Sequence, residues 1–305
     1  MLGKDLLCLK GVAKQDIQYL LNRGSEIRDL LDAGKKDFNT LNGKNITTLF
    51  YENSTRTMTS FSNAGKFLGA TVSNLAVGSS SVKKGESLMD TGETLDALNT
   101  DLIVIRHSTG GAPKYLAERV KASVVNAGDG LHAHPTQALL DMLTMQRYFG
   151  SISGLKVAIV GDVKHSRVVR SNICGLTTMG AEVKLFSPYT LRATGIESMG
   201  NVTVCNTLQE AIKDVDVVMG LRIQLERQKQ GLFPSLSEYF KYYGVKPQDL
   251  ARLEKTPIIM HPGPVNRDVE LASEVIDGTT SHILDQVSNG LAVRMAILET
   301  LLKED

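Results

Sequence analysis

The sequence predicts an α/β protein of two tandem open parallel-sheet domains, with a ligand site in the cleft between them. Short apolar runs alternate along the chain with longer runs of helical spacing, which is typical of parallel strands covered on both faces. The length of 305 residues is enough for about two domains. A Ser-Ile-Ser-Gly stretch at 151–154 separates two such alternations. We therefore expect one domain over 1–150 and a second over 151–286.

The strands are predicted from apolar runs of strand length. In the first domain they fall at 46–51, 71–77, 101–106 and 123–127. In the second domain they fall at 156–160, 182–187, 202–205, 216–221 and 257–260. Helical spacing predicts helices at 13–33, at 134–149 and in the segment 287–305, which we expect to pack back on the first domain. The polar stretch 224–256, with its tyrosine-rich turns, is long enough to cover a substrate.

Composition excludes several classes of protein. The chain has 34 Lys and Arg against 33 Asp and Glu, which argues against binding to nucleic acid or to a membrane surface. No apolar run approaches the roughly 20 residues that cross a bilayer, and the N-terminal segment does not resemble a signal peptide. The cysteines, Cys8, Cys174 and Cys205, lie far apart in apolar surroundings, so we expect buried reduced thiols rather than a disulfide or zinc site. A cytoplasmic protein is expected.

The stretch Ser54-Thr55-Arg56-Thr57 follows a predicted strand and opens a predicted helix. A helix N-terminus carries unpaired N–H groups and partial positive charge, so it can bind an anion. Hydroxyls and a guanidinium at the same place suit a phosphate. The alternative is an ordinary Ser/Thr cap beside a surface arginine, and this stretch alone does not decide between the two.

Polar side chains collect after the other predicted strands as well. Ligands of open α/β sheets bind at the carboxyl ends of the strands, so these residues are candidates for one site. They are Arg106 and His107, His134 to Gln137, Asp162 to Arg167, Arg222 and Gln224, and His261 to Pro264. Cations, amides and imidazoles therefore stand at most strand ends.

Five segments are spread along nearly the whole chain: Ser54-Thr55-Arg56-Thr57, Lys83-Lys84-Gly85-Glu86, His134-Pro135-Thr136-Gln137, 221–227 and His261-Pro262-Gly263-Pro264. Their order and spacing resemble the aspartate/ornithine transcarbamylase family. The resemblance implies an active site at the interdomain cleft and transfer of a carbamoyl group from carbamoyl phosphate to an amino acid. It implies no cofactor and no metal.

The resemblance assigns the carbamoyl phosphate site residue by residue. The helix start binds the phosphate through Ser54, Thr55, Arg56 and Thr57. The oxygen that becomes negative in the tetrahedral transition state contacts Thr57, Arg106 and His134. The carbamoyl NH2 group donates to Gln137 and to the backbone carbonyls around Gly263 and Pro264. The catalytic group is thus Arg56, Thr57, Arg106 and His134, together with Lys84.

The acceptor site is expected to bind L-aspartate. Two arginines suit two carboxylates, and the resemblance assigns Arg167 and Arg222, with Gln224 and Lys84 beside them. The alternative is ornithine or a related amino acid. The pattern of ornithine carbamoyltransferases has a cysteine at the place where this sequence has His-Pro-Gly-Pro, and a Ser-Met-Gly after the strand that corresponds to 216–221. In this sequence Ser198-Met199-Gly200 lies before the 202–205 strand instead. Cationic residues repel an ammonium side chain, which favours aspartate.

The resemblance also implies an assembly. The loop with Ser80 and Lys84 enters the active site of a neighbouring subunit, which implies a homotrimer. Glu52 and Arg227 resemble a pair that ties the two domains together on closure. Asp162 and Lys164 are expected to support the residues that contact the substrates. A regulatory chain or a dihydroorotase is a possible further partner. The product, N-carbamoyl-L-aspartate, belongs to the second step of de novo pyrimidine biosynthesis.

A nucleotide-binding α/β protein that is not an enzyme of this kind is the alternative to the transferase. Val160-Gly161-Asp162 follows a strand, as in a dinucleotide fold. No G-x-G-x-x-G follows, and no acidic residue lies at the expected spacing. The transferase is therefore favoured.

Overall fold

The chain divides into two compact units, each with its own parallel sheet. The computed structural model describes residues 3–76, 86–224 and 235–303. The first unit combines Met1–Leu143 with Ser288–Asp305, and the second is Thr144–Val287. The predicted fold class is confirmed by these two sheets.

The sheet of the first unit has the strand order β2-β1-β3-β4, and its pairs are parallel. The strands are β1 (Asn45–Phe50), β2 (Thr71–Ala76), β3 (Leu102–His107) and β4 (Ser123–Asp129). All seven residues of β4 are buried, as expected where helices cover both faces of a parallel sheet.

Helices of the first unit connect these strands and cover the sheet. They are α1 (Lys14–Asp32), α2 (Thr55–Phe67), α3 (Leu88–Ala97), α4 (Ala112–Ala117), most of α5 (Pro135–Phe149) and most of α11 (Ile283–Leu302). At Gly24 of α1 a Cβ atom would lie 3.2 Å from Leu143 and 3.4 Å from Val293, so α1 packs closely on α5 and α11. The C-terminal helix thus belongs to a unit whose other residues come from the start of the chain.

The sheet of the second unit has the order β7-β6-β5-β8-β9, and its pairs are also parallel. The strands are β5 (Lys156–Gly161), β6 (Glu182–Phe186), β7 (Val202–Val204), β8 (Val217–Leu221) and β9 (Ile258–Met260). The helices are α6 (Arg167–Met179), α7 (Leu208–Ile212), α8 (Leu236–Tyr243), α9 (Pro247–Leu250) and α10 (Ser273–Ile276). Ala158, Val160, Val218 and Ile259 contribute to its apolar core.

Two expectations about buried groups are corrected. The tyrosine-rich part of 224–256 is not a pair of turns, because Tyr239 lies in α8 and packs in a cluster with Leu191 and Ile223. Of the cysteines, only Cys205 is buried, whereas Cys8 and Cys174 are half-buried; none of the three forms a disulfide.

Two negative findings apply to the described residues. None of their helices combines the length and the apolar character that a bilayer crossing requires. Within the same ranges, no group of three or more His, Cys, Asp and Glu side chains could hold a metal ion.

A buried carboxylate on α11 joins the C-terminal helix to the first unit. Glu299 accepts hydrogen bonds from Arg23 Nε of α1 at 2.8 Å and from Thr40 Oγ1 at 2.7 Å. Its side chain is 3% exposed. Neutralising this buried acceptor weakens both hydrogen bonds and replaces one acceptor oxygen by an NH2 group that has no acceptor among these two donors.

Glu299→Gln is therefore expected to lower the free energy of unfolding by about 2 kcal/mol in urea titrations. The matched control is Glu26→Gln, because Glu26 pairs with the same Arg23 at 2.9 Å but its side chain is 63% exposed. Exposed pairs contribute little, so the control should change stability by less than about 0.5 kcal/mol. Equal losses in the two variants would contradict this account.

Candidate active site

The candidate residues of the first unit lie at its topological switch point. The chain runs from β1 to β2 on one side and continues through β3 on the other, so the carboxyl ends of β1 and β3 are neighbours where the order reverses. This is the place where open α/β sheets bind ligands. Ser54 follows β1, and Arg106 lies at the end of β3, paired in register with Phe50.

The start of α2 has the form of an anion site. Ser54 occupies the N-cap position, yet its side chain makes no capping hydrogen bond, so its role as a conventional cap is not observed. By contrast, Ser87 and Ser166 cap α3 and α6 through their hydroxyls. Thr57 is buried in the first turn of α2, whereas Thr55 and Arg56 are exposed. The first N–H groups of α2 therefore lack the Ser54 side chain as an acceptor.

Arg106, at the end of β3, contacts oxygen atoms of Glu52 and Ala127. Its Nε lies 3.4 Å from Glu52 Oε2, and its Nη1 donates to the carbonyl of Ala127 at 3.3 Å. Glu52, expected to pair with Arg227 on domain closure, is thus found beside Arg106. Its carboxylate balances the guanidinium charge at the carboxyl end of the sheet.

A bulge in β4 places the segment that leads to His134. Ile105 pairs with Asn126, but His107 pairs with Asp129, so β4 has one extra residue at this point. Asp129, 1% exposed, accepts from the N–H groups of Gly111 at 2.7 Å and Ala133 at 3.0 Å. It also accepts from Asn126 Nδ2 at 2.8 Å, and His132 Nδ1 lies 2.9 Å from it.

This carboxylate fixes the turn immediately before His134, which is itself buried. Sequence reasoning missed Asp129. The signal that could have found it is the Gly128-Asp129-Gly130 run at a strand end, where a short acidic side chain can accept several backbone N–H groups.

Gln137 lies in the first turns of α5 and is buried. Its Nε2 donates to Asp141 Oδ1 at 2.9 Å, one helical turn further on. Asp141 was also missed, since an acidic residue within a helix is by itself an ordinary surface feature. It is fully buried here.

His107 lies beside the candidate groups and has a perturbed imidazole. Burial lowers the pKa of His107 from its ordinary value of 6.5, against the opposing effect of the Glu52 and Asp129 carboxylates. Its Nδ1 accepts the Thr109 N–H at 2.9 Å, and its ring contacts Tyr51 with centroids 4.6 Å apart.

Because the pKa of His107 is lower in the folded state, acidification below pH 6.5 protonates the unfolded chain in preference and reduces stability. His107→Asn keeps an acceptor for the Thr109 N–H but does not titrate. We expect the free energy of unfolding to fall less steeply from pH 7 to pH 5 in this variant than in the wild type, as measured by urea titration. Parallel pH profiles would refute this assignment, and above pH 7 the two proteins should show no difference in slope.

The second unit repeats the switch-point arrangement. Its chain runs from β5 to β6 and β7 on one side and continues through β8 on the other. Asp162 follows β5 and is fully buried. It accepts hydrogen bonds from the main-chain N–H and from the Nδ1 of His165. Lys164 lies in the same turn. Arg167 opens α6 and is 3% exposed.

Arg170 is bound to its own helix start. It donates to the carbonyls of Ser166 at 3.0 Å and Lys164 at 3.3 Å. Burial lowers the pKa of Arg170, and the Asp162 carboxylate opposes that shift. Arg170 is therefore half-buried and bound to the main chain at the start of its own helix.

Arg222 and Gln224 follow β8 on the other side of this switch point, and both are half-buried. The second unit thus places two arginine side chains after neighbouring strands, β5 and β8. Guanidinium groups in this arrangement suit a ligand with carboxylates.

The His261-Pro262-Gly263-Pro264 segment follows β9. The N–H of Gly263 donates to His261 Nδ1 at 2.8 Å, and the peptide bond to Pro264 is cis. Gly263 has a φ of 63°, which favours glycine over larger residues. His261 lies 3.3 Å from the buried Glu270 carboxylate, which fixes the ring.

Three predicted site residues, Ser80, Lys84 and Arg227, lie outside the described residues. The remaining ones gather at two places, one in each unit. Glu52, Ser54 to Thr57, Arg106, His134 and Gln137 belong to the first unit, and Arg167, Arg222, Gln224, Gly263 and Pro264 belong to the second. Hydroxyl, amide and cationic groups at the switch points of two parallel sheets are suited to small anionic ligands.

Comparisons with known proteins identify the family. The family model described as "Aspartate/ornithine carbamoyltransferase, carbamoyl-P binding domain" matches residues 4–147, and the one described as "Aspartate/ornithine carbamoyltransferase, Asp/Orn binding domain" matches residues 153–301. The chain is 54% identical over 301 residues to the aspartate carbamoyltransferase catalytic subunit of Ruminiclostridium cellulolyticum, covering 99% of this chain and 96% of that one. The chain belongs to the aspartate/ornithine carbamoyltransferase family.

Solved structures agree in fold. Aspartate transcarbamoylase from Trypanosoma cruzi, in complex with carbamoyl phosphate and aspartate, is 32% identical with a TM-score of 0.89, covering 99% of this chain and 97% of that one. Ornithine carbamoyltransferase from Thermus thermophilus is 27% identical with a TM-score of 0.87, covering 99% and 100%. The fold therefore does not distinguish aspartate from ornithine enzymes, and the distinction has to come from the side chains of the acceptor site.

Proposed function

We propose that this chain transfers the carbamoyl group of carbamoyl phosphate to the α-amine of L-aspartate, giving N-carbamoyl-L-aspartate and phosphate. The observation that carries the proposal is the position of Arg167 and Arg222 after the two strands that flank the second switch point. Two guanidinium groups match the two carboxylates of aspartate. The 54% identical relative from Ruminiclostridium cellulolyticum is an aspartate carbamoyltransferase catalytic subunit, which supports the same acceptor.

The first unit is proposed to bind carbamoyl phosphate. The N-terminus of α2 binds the phosphate, with the hydroxyls of Ser54, Thr55 and Thr57 and the guanidinium of Arg56 as further donors. The Ser54 hydroxyl, which does not cap the helix, is available for this contact.

The chemistry requires charge stabilisation at the carbamoyl oxygen. The α-amine attacks the carbamoyl carbon, and negative charge develops on the carbonyl oxygen as the tetrahedral intermediate forms; Arg106, Thr57 and His134 are proposed to donate to this oxygen. The nitrogen then loses a proton, the C=O bond re-forms, and phosphate leaves with the electron pair of the broken C–O bond and can carry that proton. The Glu52 and Ala127 oxygens that contact Arg106 preorganise its guanidinium. Gln137 and the carbonyls around Gly263 and Pro264 orient the carbamoyl NH2 group.

The second unit is proposed to bind the aspartate. Arg167 and Arg222 contact its carboxylates, and Gln224 lies beside Arg222 in the chain. An ornithine side chain would bring an ammonium group to these cations, which disfavours ornithine as the acceptor. The Ser-Met-Gly sequence at 198–200 precedes β7 and does not follow β8.

The assembly is proposed to be a homotrimer in which Ser80 and Lys84 complete the site of a neighbouring subunit. Glu52 and Arg227 are proposed to pair when substrates bind. A regulatory chain or a dihydroorotase would be a further partner, and a cytoplasmic location fits pyrimidine biosynthesis. The solution mass from light scattering should be about three times the 33.2 kDa of one chain. A fully active monomer would contradict the shared site.

The proposed function is tested by phosphate release from carbamoyl phosphate with aspartate or ornithine as the acceptor, with mass spectrometric identification of the product. We expect turnover with aspartate to exceed turnover with ornithine at least about a hundredfold. The ammonium group of ornithine would lose its water in a cationic pocket without gaining an anionic partner. Turnover with ornithine and none with aspartate would overturn the assignment of the acceptor. Turnover with neither would overturn the proposal.

A further inference from the structure

The amide of Gln137 has a fixed orientation. Its Nε2 donates to Asp141 Oδ1 at 2.9 Å, and both side chains are buried. An ionised carboxylate accepts hydrogen bonds and cannot donate one, so it selects the NH2 end of the amide. The carbonyl oxygen Oε1 of Gln137 is then the end that can accept from a ligand.

A buried arginine interacts with the Asp141 carboxylate. Arg294 of α11 is buried and interacts electrostatically with Asp141. Burial lowers the pKa of Arg294 to about 10, so the guanidinium remains charged at neutral pH. A cation in the low-dielectric interior stabilises the ionised form of a nearby carboxylate.

Arg294 is itself fixed by α2, the helix that begins at the candidate phosphate site. Its Nη1 donates to Ser60 Oγ at 2.8 Å, and its guanidinium lies 5.2 Å from the centroid of the Phe61 ring. Gly290 leaves room for the side chain, because a Cβ atom there would lie 2.8 Å from Arg294 Nη1. The buried pair thus connects Gln137 of α5 to the body of α2.

We propose that Asp141, through its hydrogen bond to Gln137, is a positioning residue that makes the site select an NH2 group on the acyl carbon of its phosphorylated substrate. The proposal rests on the proposed function, in which Gln137 contacts the carbamoyl NH2. The Gln137 oxygen accepts a hydrogen bond from that NH2 group. If the amide were rotated, the NH2 group of Gln137 would face the NH2 group of the substrate, and two donors cannot form a hydrogen bond with each other. Acetyl phosphate carries a methyl group in the same place and neither donates nor accepts there, so its binding does not depend on the orientation of the amide.

Asp141→Asn is expected to rotate the Gln137 amide. Because Arg294 only donates, the oxygen of the new asparagine is drawn toward the guanidinium, and its NH2 group turns toward Gln137. Gln137 then presents its own NH2 group to the ligand. We expect the KM for carbamoyl phosphate to rise about thirtyfold, because a buried polar mismatch replaces a hydrogen bond. The inhibition constant of acetyl phosphate against carbamoyl phosphate should change less than about threefold.

The ratio of these two constants is the readout, because a merely structural role would change both in parallel. Wild-type turnover with carbamoyl phosphate and aspartate is measured first, so failure of the proposed function is seen separately. In a Gln137→Met background, adding Asp141→Asn should leave the ratio unchanged within about twofold, because the residue through which Asp141 acts is absent. An unchanged ratio for Asp141→Asn alone, in an active wild-type background, would overturn the proposal.

The matched control is Glu299→Gln, which neutralises another buried carboxylate of the same unit that is not assigned to the site. It should leave the ratio unchanged. If Asp141→Asn does not fold, the double variant Asp141→Leu with Arg294→Met replaces the buried pair by apolar side chains of similar size, a change that cores often tolerate. It frees the Gln137 amide to take both orientations, so the ratio should still shift about threefold or more. No shift in this variant would also overturn the proposal.

Discussion

Arg106→Ala is expected to lower kcat by about a thousandfold, which corresponds to about 4 kcal/mol of transition-state stabilisation. Arg106 is the permanent cation held at the end of β3, and its Nε and Nη1 are oriented by Glu52 and the Ala127 carbonyl. An oriented cation in a partly desolvated site stabilises developing negative charge far better than water does. Steady-state kinetics with saturating aspartate would measure the loss.

Arg119→Ala is the matched control for that experiment. Arg119 lies in the same unit and stacks on Tyr115, 3.9 Å from the ring centroid, away from the carboxyl ends of the strands. Its removal should leave kcat within about twofold of wild type. Arg106→Lys keeps the charge without the planar fork and should recover only part of the activity. A loss below about tenfold in Arg106→Ala would remove Arg106 from the catalytic groups.

Arg167→Gln is expected to raise the KM for aspartate about a hundredfold or more, with a smaller change in the KM for carbamoyl phosphate. A bidentate guanidinium–carboxylate pair in a buried position is strong, and glutamine offers neither the charge nor the fork. Initial rates at varied aspartate and fixed carbamoyl phosphate would measure this effect. Isothermal titration with succinate, a dicarboxylate without the amine, would separate binding from catalysis.

Arg170→Gln provides the comparison, since Arg170 lies one turn further along α6 and donates to main-chain carbonyls of its own segment. We expect this variant to change the KM for aspartate less than about fivefold. If the two variants raise the KM equally, the effect belongs to the helix start as a whole, and Arg167 would have no specific role as an aspartate ligand.

The sheet strands could be predicted from the sequence because their side chains are buried on both faces. The run 156–160, for example, becomes β5 with every residue buried but Lys156. The prediction of turns around the tyrosines at 239–243 is wrong, since they lie in a short helix whose apolar side packs on a local cluster. Here tertiary contact, and not periodicity, decides the structure.

The candidate site could be predicted where a residue type and a strand end coincide, as at Arg106 and Arg222. The residues that orient the site residues could not be predicted. The partners of Asp129 come from the β3–α4 and β4–α5 connections, which only the folded sheet brings together. From the sequence, Asp141 is expected to be an exposed helix residue, because its partner Arg294 comes from α11 at the far end of the chain. Likewise, the sequence does not specify the side-chain orientation of Ser54, which occupies the N-cap position without making a capping hydrogen bond.

The return of α11 to the first unit has a consequence for synthesis of the chain. The second unit is one continuous segment, Thr144–Val287, whereas the first needs Ser288–Asp305 as well as Met1–Leu143. On the ribosome, the second unit can complete its core while the first still lacks the helix that carries Arg294 and Glu299. Chains released before residue 288 would leave Asp141 and Arg23 without these partners. Premature termination near the end of the message should therefore yield protein that quality-control proteases remove rather than a slightly shortened enzyme.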